Sequence, residues 1–229
     1  LREGVGDILA DGVRRAAERI GGGSEAFAVH VKGLEGPCHD PRAAKTLGVN
    51  YGTGNRGMCH IHPLETVAYD ASKFDFGLRP FGLQDPEELP RWEERGKGTA
   101  IRILQDAGAL PEILGTCKFY MYVGITPREY AEMLSALTGW NVTGEELMET
   151  AERATNLQRL FNIREGFSRE DDMLPGRVRS APAFGTYAGN AECAVRDFDG
   201  MLDDYYEARG WDRATGAPTR ETLVRLGLA

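Results

Sequence analysis

The stretch TPREYAEMLSALTGWNVTGEELMETAERATNLQRLFNI, residues 126–163, decides the fold class. Thr126 with Glu129 forms a capping box, and Pro127 takes the first helical position, where its missing N–H costs nothing. Tyr130, Met133, Leu134 and Leu137 follow at helical spacing and predict one buried stripe. Thr143 with Glu146 repeats the device, and Leu147, Ala151, Ala154, Leu157 and Phe161 carry a second stripe to about Ile163. Two helices in sequence, each with its own start signal, set a mainly α architecture.

Working outward keeps that character. Towards the N-terminus, residues 97–110 predict a helix weakened by Gly98 and Gly108, and Pro111 is expected to open a turn ending at Gly115-Thr116-Cys117-Lys118-Phe119. Residues 78–90, rich in Pro and Gly, predict loop. Phe27–Val31 alternates well enough for a short strand. Gly6–Ile20 predicts one amphipathic helix with Ile8, Leu9, Val13, Ala16, Ala17 and Ile20 inward, stopped by Gly21-Gly22-Gly23. Towards the C-terminus, residues 165–200 predict a long loop. A short helix over 201–209 and a last one capped by Thr219, ending near Leu226, complete the reading. The expected organisation is two helical parts, 1–96 and 97–229.

Composition narrows the function classes. The 229 residues carry a net charge of −8 without any Lys/Arg stripe, which argues against nucleic acid and anionic membrane as partners. No apolar run approaches the ~20 residues of a membrane span. Cysteines at 38, 59, 117 and 193, with no CxxC, fit a reduced, cytoplasmic protein. The opening Leu1-Arg2-Glu3-Gly4 lacks an initiator Met and runs at once into helix, as if cut from a larger chain.

The segment KGLEGPCHDPRAAKTLGVNYGTGNRGMCHIHP, residues 32–63, is where chemistry is expected. It holds three of the four histidines among glycines and asparagines, carries no sustained period, and predicts a loop on a helical scaffold. His60 is a candidate proton donor or acceptor near neutral pH. Cys59, His60 and His62 are spaced as a zinc site allows, with Cys38-His39-Asp40 as a second set. Cys117 suits a soft metal or an iron–sulfur cluster, although the other cysteines lack a cluster's grouped spacing, so its co-ligands would lie outside this chain. Arg42 and Arg56 suit anion binding or a structural salt bridge. The run Arg169-Glu170-Asp171-Asp172 reads as a solvated turn entrance, or as a partner for arginines elsewhere.

Taken in order, six motifs resemble the tungsten-dependent aldehyde:ferredoxin oxidoreductase family. They are GDILADGVRRAAE (6–18), KGLEGPCHDPR (32–42), NYGTGNRGMCHIH (50–62), LGTCKF (114–119), LQRLFNIREGFSREDDMLP (157–175) and MLDDYYEARGWDRATGAPT (201–219). The resemblance implies a multi-helical C-terminal portion, lacking an N-terminal cofactor-binding region of the same protein. It implies tungsten, or molybdenum, held by two pterins beside a [4Fe–4S] cluster, both incomplete here. Cys117 matches the fourth cluster ligand, the other three belonging to an upstream CxxCxxxC loop. Gly115 and Thr116 would follow one pterin, and His60 matches the histidine near the metal. Glu112 replaces the family's pterin-binding aspartate, His62 a lysine and Ala43 a glycine. The implied reaction is oxidation of a small aldehyde, with electrons passing to ferredoxin or an iron–sulfur subunit. Alternatives are a subunit of an aromatic acyl-CoA (benzoyl-CoA type) reductase, or a non-catalytic helical binding or assembly module.

Overall fold

A computed structural model describes residues 3–62 and 66–229, apart from the Val5 side chain; Leu1, Arg2 and Pro63, used in the sequence reading, lie outside the described residues. Eight α-helices account for most of the regular structure: α1 (Gly12–Ile20), α2 (Lys45–Thr53), α3 (Thr66–Asp70), α4 (Gly98–Leu114), α5 (Pro127–Thr138), α6 (Gly144–Arg164), α7 (Phe198–Arg209) and α8 (Arg220–Arg225). A two-residue hairpin pairs β1 (His30–Val31) with β2 (Leu34–Glu35), Val31 opposite Leu34. The mainly α reading holds.

Helix α4 is the axis. It packs against α6 and α7, α2 lies against α3, α4 and α7, and α5 lies on α6. One apolar cluster gathers Tyr69, Phe76, Leu104, Leu110, Met121 and Tyr130; a second gathers Val31, Leu47, Tyr51, Phe198, Leu202 and Trp211. Ile103 and Leu104 of α4 face the first cluster and Ile101 the second, so one helix serves both. Between them runs a closed polar network. Arg209 Nη1 meets Asp106 Oδ1 at 2.5 Å, Tyr205 donates to Gln105 Oε1 at 2.6 Å, and Gln105 donates to Asn50 Oδ1 at 3.0 Å. Buried polar groups paired in this way fix register between helices.

Both capping boxes form as read, at Thr126/Glu129 and Thr143/Glu146. Several other expectations are corrected. The N-terminal helix is broken into a 3₁₀ turn over Gly4–Leu9 and α1, whose first residue Gly12 sits at φ +86°. That left-handed residue rotates the two pieces out of register, so Ala16 and Ala17 are buried while Leu9 and Ile20 are exposed. The side chain of Glu35 accepts from Val13 N–H at 2.7 Å at the new helix start. Only the end of Phe27–Val31 is strand, because Ser24–Phe27 closes a 3₁₀ turn.

Helix α2 overturns the loop reading of residues 32–63 at its middle. All nine of its residues are buried, so no polar face exists to give a period. Pro111 sits inside α4 rather than opening a turn, and its carbonyl accepts from the Gly115 and Thr116 amides that end the helix. Of the two stripes, Met133, Leu137, Leu157 and Phe161 are exposed. In the second half of α6 the buried side is instead polar: Thr155, Asn156 and Arg159.

Candidate functional site

Two loops meet beside the C-terminal end of α4. The histidine loop, 54–62, leaves α2 and carries His60 and His62. The cysteine loop, 115–118, leaves α4 through the left-handed cap Gly115 and carries Cys117. Their positions follow from local bonding.

The histidine loop is pinned along its length. Gly57, at φ +111°, lies so close to the hairpin that a Cβ there would come within 2.6 Å of the Val31 carbonyl. Lys32 donates to the Gly52 carbonyl at 2.6 Å. Asn55 Nδ2 donates to the Thr155 carbonyl at 3.1 Å, and Asn162 donates to the Asn55 carbonyl at 2.8 Å, so α6 grips the loop from both sides. Farther on, Lys118 donates to the Ile61 carbonyl at 2.6 Å.

The two imidazoles have different surroundings. His60 packs edge-on against His39, centroids 4.4 Å apart, and the His39 carbonyl accepts from Tyr51 OH at 2.8 Å. His62 Nδ1 lies 2.7 Å from Glu112 Oε1, and Lys118 pairs with the same carboxylate. Burial raises the Glu112 pKa, but hydrogen bonds from His62 and Lys118 outweigh it and hold the carboxyl below its usual range. An ionised acceptor there assigns the Nδ1 proton to His62, leaving Nε2 for other partners.

Cys117 is exposed, and so are Ile113, Phe119, Tyr120 and Val123 around it. A thiol with exposed apolar neighbours offers a single soft ligand. The Gly115 and Thr116 amides both serve the Pro111 carbonyl. Among the described residues no group of three or more His, Cys, Asp or Glu is arranged to hold a metal. Cys59, His60 and His62 are not gathered on one point: His60 sits edge-on to His39 and His62 is bound to Glu112. One exposed thiol is a donor of the kind an iron–sulfur cluster takes, and Glu112 is an acceptor of the kind a hydrogen-bonding cofactor takes.

A groove of about 490 Å³ opens between the histidine loop and α6, lined by Asn55, Arg56, His62, Leu157, Gln158 and Phe161 among others. Arg42 is claimed by Asp40 at 2.6 Å, the structural reading. Arg56 is exposed and makes no ion pair among the described residues. Cys193 is buried and Cys38 exposed, both free.

Sequence reasoning missed the group that anchors this region. Asp172, read as part of a solvated turn, is 1% exposed. Its carboxylate accepts from Arg159 Nη1 at 2.9 Å and from Tyr206 OH, and pairs with Lys32 Nζ at 2.7 Å. Burial pulls the Lys32 ammonium pKa down and Asp172 opposes it. Of the two sequence readings of this run, a partner for arginines elsewhere is the one Asp172 fulfils. The available signal was a lysine and an aspartate each fixed in a long motif.

A mainly helical body carries an exposed cysteine just past a helix end, beside a pinned histidine loop. The sequence matches the family model "Aldehyde ferredoxin oxidoreductase, domains 2 & 3" over residues 1–228, and the chain belongs to that family. It is 35% identical over 228 residues to the tungsten-containing aldehyde ferredoxin oxidoreductase of Pyrococcus abyssi, covering 99% of this chain and 35% of that protein. The Pyrococcus furiosus protein of the same description is 34% identical over 100% of this chain and 35% of its own length. A Pyrococcus furiosus aliphatic sulfonate oxidoreductase, WOR-like subunit, is 28% identical, covering 99% and 33%. Among solved structures, the active-site complex BamBC of benzoyl-coenzyme A reductase matches with a TM-score of 0.64 and 24% identity, over 99% of this chain and 37% of that one. The chain thus spans about a third of the length of the curated relatives it matches. Among the described residues no helix is long and apolar enough to cross a membrane.

Proposed function

We propose that this chain is the C-terminal, helical part of a cytoplasmic tungstopterin oxidoreductase that converts an aldehyde to its carboxylic acid. The observation that supports the reading most is the meeting of the histidine and cysteine loops in a chain that belongs to this family. Residues 1–96 would bring the His60 loop and residues 97–229 the Cys117 loop to one cofactor. The other ligands would come from an N-terminal region of the same polypeptide. The net reaction is aldehyde plus water to acid, two protons and two electrons, the electrons leaving for ferredoxin or an iron–sulfur subunit.

In this proposal Cys117 is one ligand of a [4Fe–4S] cluster, and Glu112, His62 and the carbonyls of Gly115 and Thr116 border a pterin. When bound, the tungsten or molybdenum centre and the cluster supply the redox chemistry. The chain's own part is to orient the carbonyl and to handle protons. His60, held in place by His39, takes or gives a proton at the reacting carbonyl. Glu112, kept ionised by His62 and Lys118, accepts hydrogen bonds from the ligand. A neutral carboxyl would present a competing donor.

The whole-chain fold likeness to the benzoyl-coenzyme A reductase complex motivates a second reading, reduction of an aromatic acyl-CoA thioester by a subunit of a larger assembly. One assay series separates them. Purified full-length protein is offered aldehydes with an oxidised dye, then benzoyl-CoA with a strong reductant. His60→Ala is expected to lower kcat for aldehyde by about 10²–10⁴-fold, the range for losing a general acid–base group, with its melting temperature unchanged. Aldehyde turnover unaffected by this substitution contradicts the assignment.

A further inference from the structure

One side chain bridges the two loops. Lys118 follows the candidate cluster ligand Cys117, yet its ammonium donates to the carbonyl of Ile61, the residue between His60 and His62, at 2.6 Å. The same ammonium pairs with Glu112, whose Oε1 also takes His62 Nδ1 at 2.7 Å. Lys118 is largely buried, its side chain 15% exposed. A compact ammonium with three hydrogens can serve a carbonyl and a carboxylate at once.

The other anchors of the histidine loop act elsewhere. Asn55 and Asn162 hold its first part to α6, and Lys32 holds the end of α2. On the second part, the bond from Asn50 Nδ2 to the Cys59 carbonyl is long, at 3.5 Å. The charge-assisted bond from Lys118 is the strong backbone anchor there.

The geometry points to Lys118 as a positioning residue that sets His60 against Cys117, with Glu112 and His62 as the second strut. The inference rests on reading His60 as the proton-handling group and Cys117 as the cluster ligand. Proton and electron exits would then keep a fixed separation because one residue ties both loops. Losing the tie frees the Ile61 carbonyl and leaves Glu112 with His62 alone.

The test compares Lys118→Met with Lys73→Met in the full-length protein. Lys73 likewise donates to two backbone carbonyls, Pro86 at 2.5 Å and Leu89 at 3.1 Å, neither of which belongs to either loop. Hydrogen–deuterium exchange of a peptide covering residues 54–62 reads the tether whether or not a cofactor is bound. Lys118→Met is expected to speed exchange there and to lower kcat by about 10- to 100-fold, the usual loss when an outer partner of a ligand is removed, with KM little changed. Lys73→Met is expected to change neither. Unchanged exchange over 54–62 in Lys118→Met overturns the inference, as does a loosened loop with unchanged kcat, or the same response from Lys73→Met. If Lys118→Met does not fold, Lys118→Leu, which likewise removes every donor, takes its place with the same criteria. Wild-type protein devoid of iron and aldehyde activity overturns the functional reading instead, and the exchange result still decides the tether.

Discussion

At the residue scale, Asp172 carries more than its sequence context suggests. One buried carboxylate satisfies Lys32, Arg159 and Tyr206, and through Lys32 it reaches the end of α2. Deleting it leaves two cations buried without an anion. Asp172→Ala is expected to destabilise the protein by about 3–5 kcal/mol, the scale for breaking a buried pair from one side. Denaturant unfolding checks this, and a loss under 1 kcal/mol would mean the pair behaves like a surface ion pair. An arginine partner was one of two readings of this run, but its burial and which residues it pairs with were not legible, because the partners are distant in sequence and their pairing depends on packing. His60, His62 and Cys117 were legible as chemistry-bearing types. What they touch, His39, Glu112 and Lys118, was not.

At the scale of elements, local signals were read well and tertiary ones poorly. Helices α5 and α6 carry their own capping boxes, so their starts needed no knowledge of the rest of the chain. Helix α2 is buried on every side and offers no periodicity, while α4 runs through a proline because its end is set by Gly115. The exposed half-stripe of Leu157 and Phe161 shows the limit of pattern reading: helical spacing identifies a face but not what covers it. The last helix gives a measurable consequence. Arg225 Nη2 pairs with Glu152 Oε1 at 2.6 Å, tying α8 to α6. Burial alone would raise the Glu152 pKa, but Arg225 more than offsets it and leaves it below the ordinary value of 4.5. A depressed folded pKa stabilises the protein above the unfolded value and loses that stabilisation as pH falls through the folded one. The stability difference between wild type and Glu152→Gln should therefore be constant above about pH 5 and shrink below about pH 4.5. A difference that does not change with pH contradicts the pairing.

At the scale of the whole molecule, α4 joins two apolar clusters and its C-terminal end delivers the cysteine loop to the histidine loop. That arrangement brings together one exposed thiol, a pinned histidine loop and a carboxylate held ionised. The mainly α class and the family were both legible from ordered motifs, because six of them fall in sequence across nearly the whole chain. The groove beside Arg56 and Phe161 was not, since it forms only where α6 meets the loop.

The most direct measurement is plasma mass spectrometry of W, Mo, Fe and Zn in purified full-length protein, wild type beside Cys117→Ser. The account predicts tungsten or molybdenum with about four irons per chain in the wild type, as a [4Fe–4S] cluster requires, and a marked loss of iron in the variant. Iron retained in full by Cys117→Ser would contradict the ligand assignment. A wild type without tungsten, molybdenum or iron would contradict the central claim that these two loops form part of a redox cofactor site.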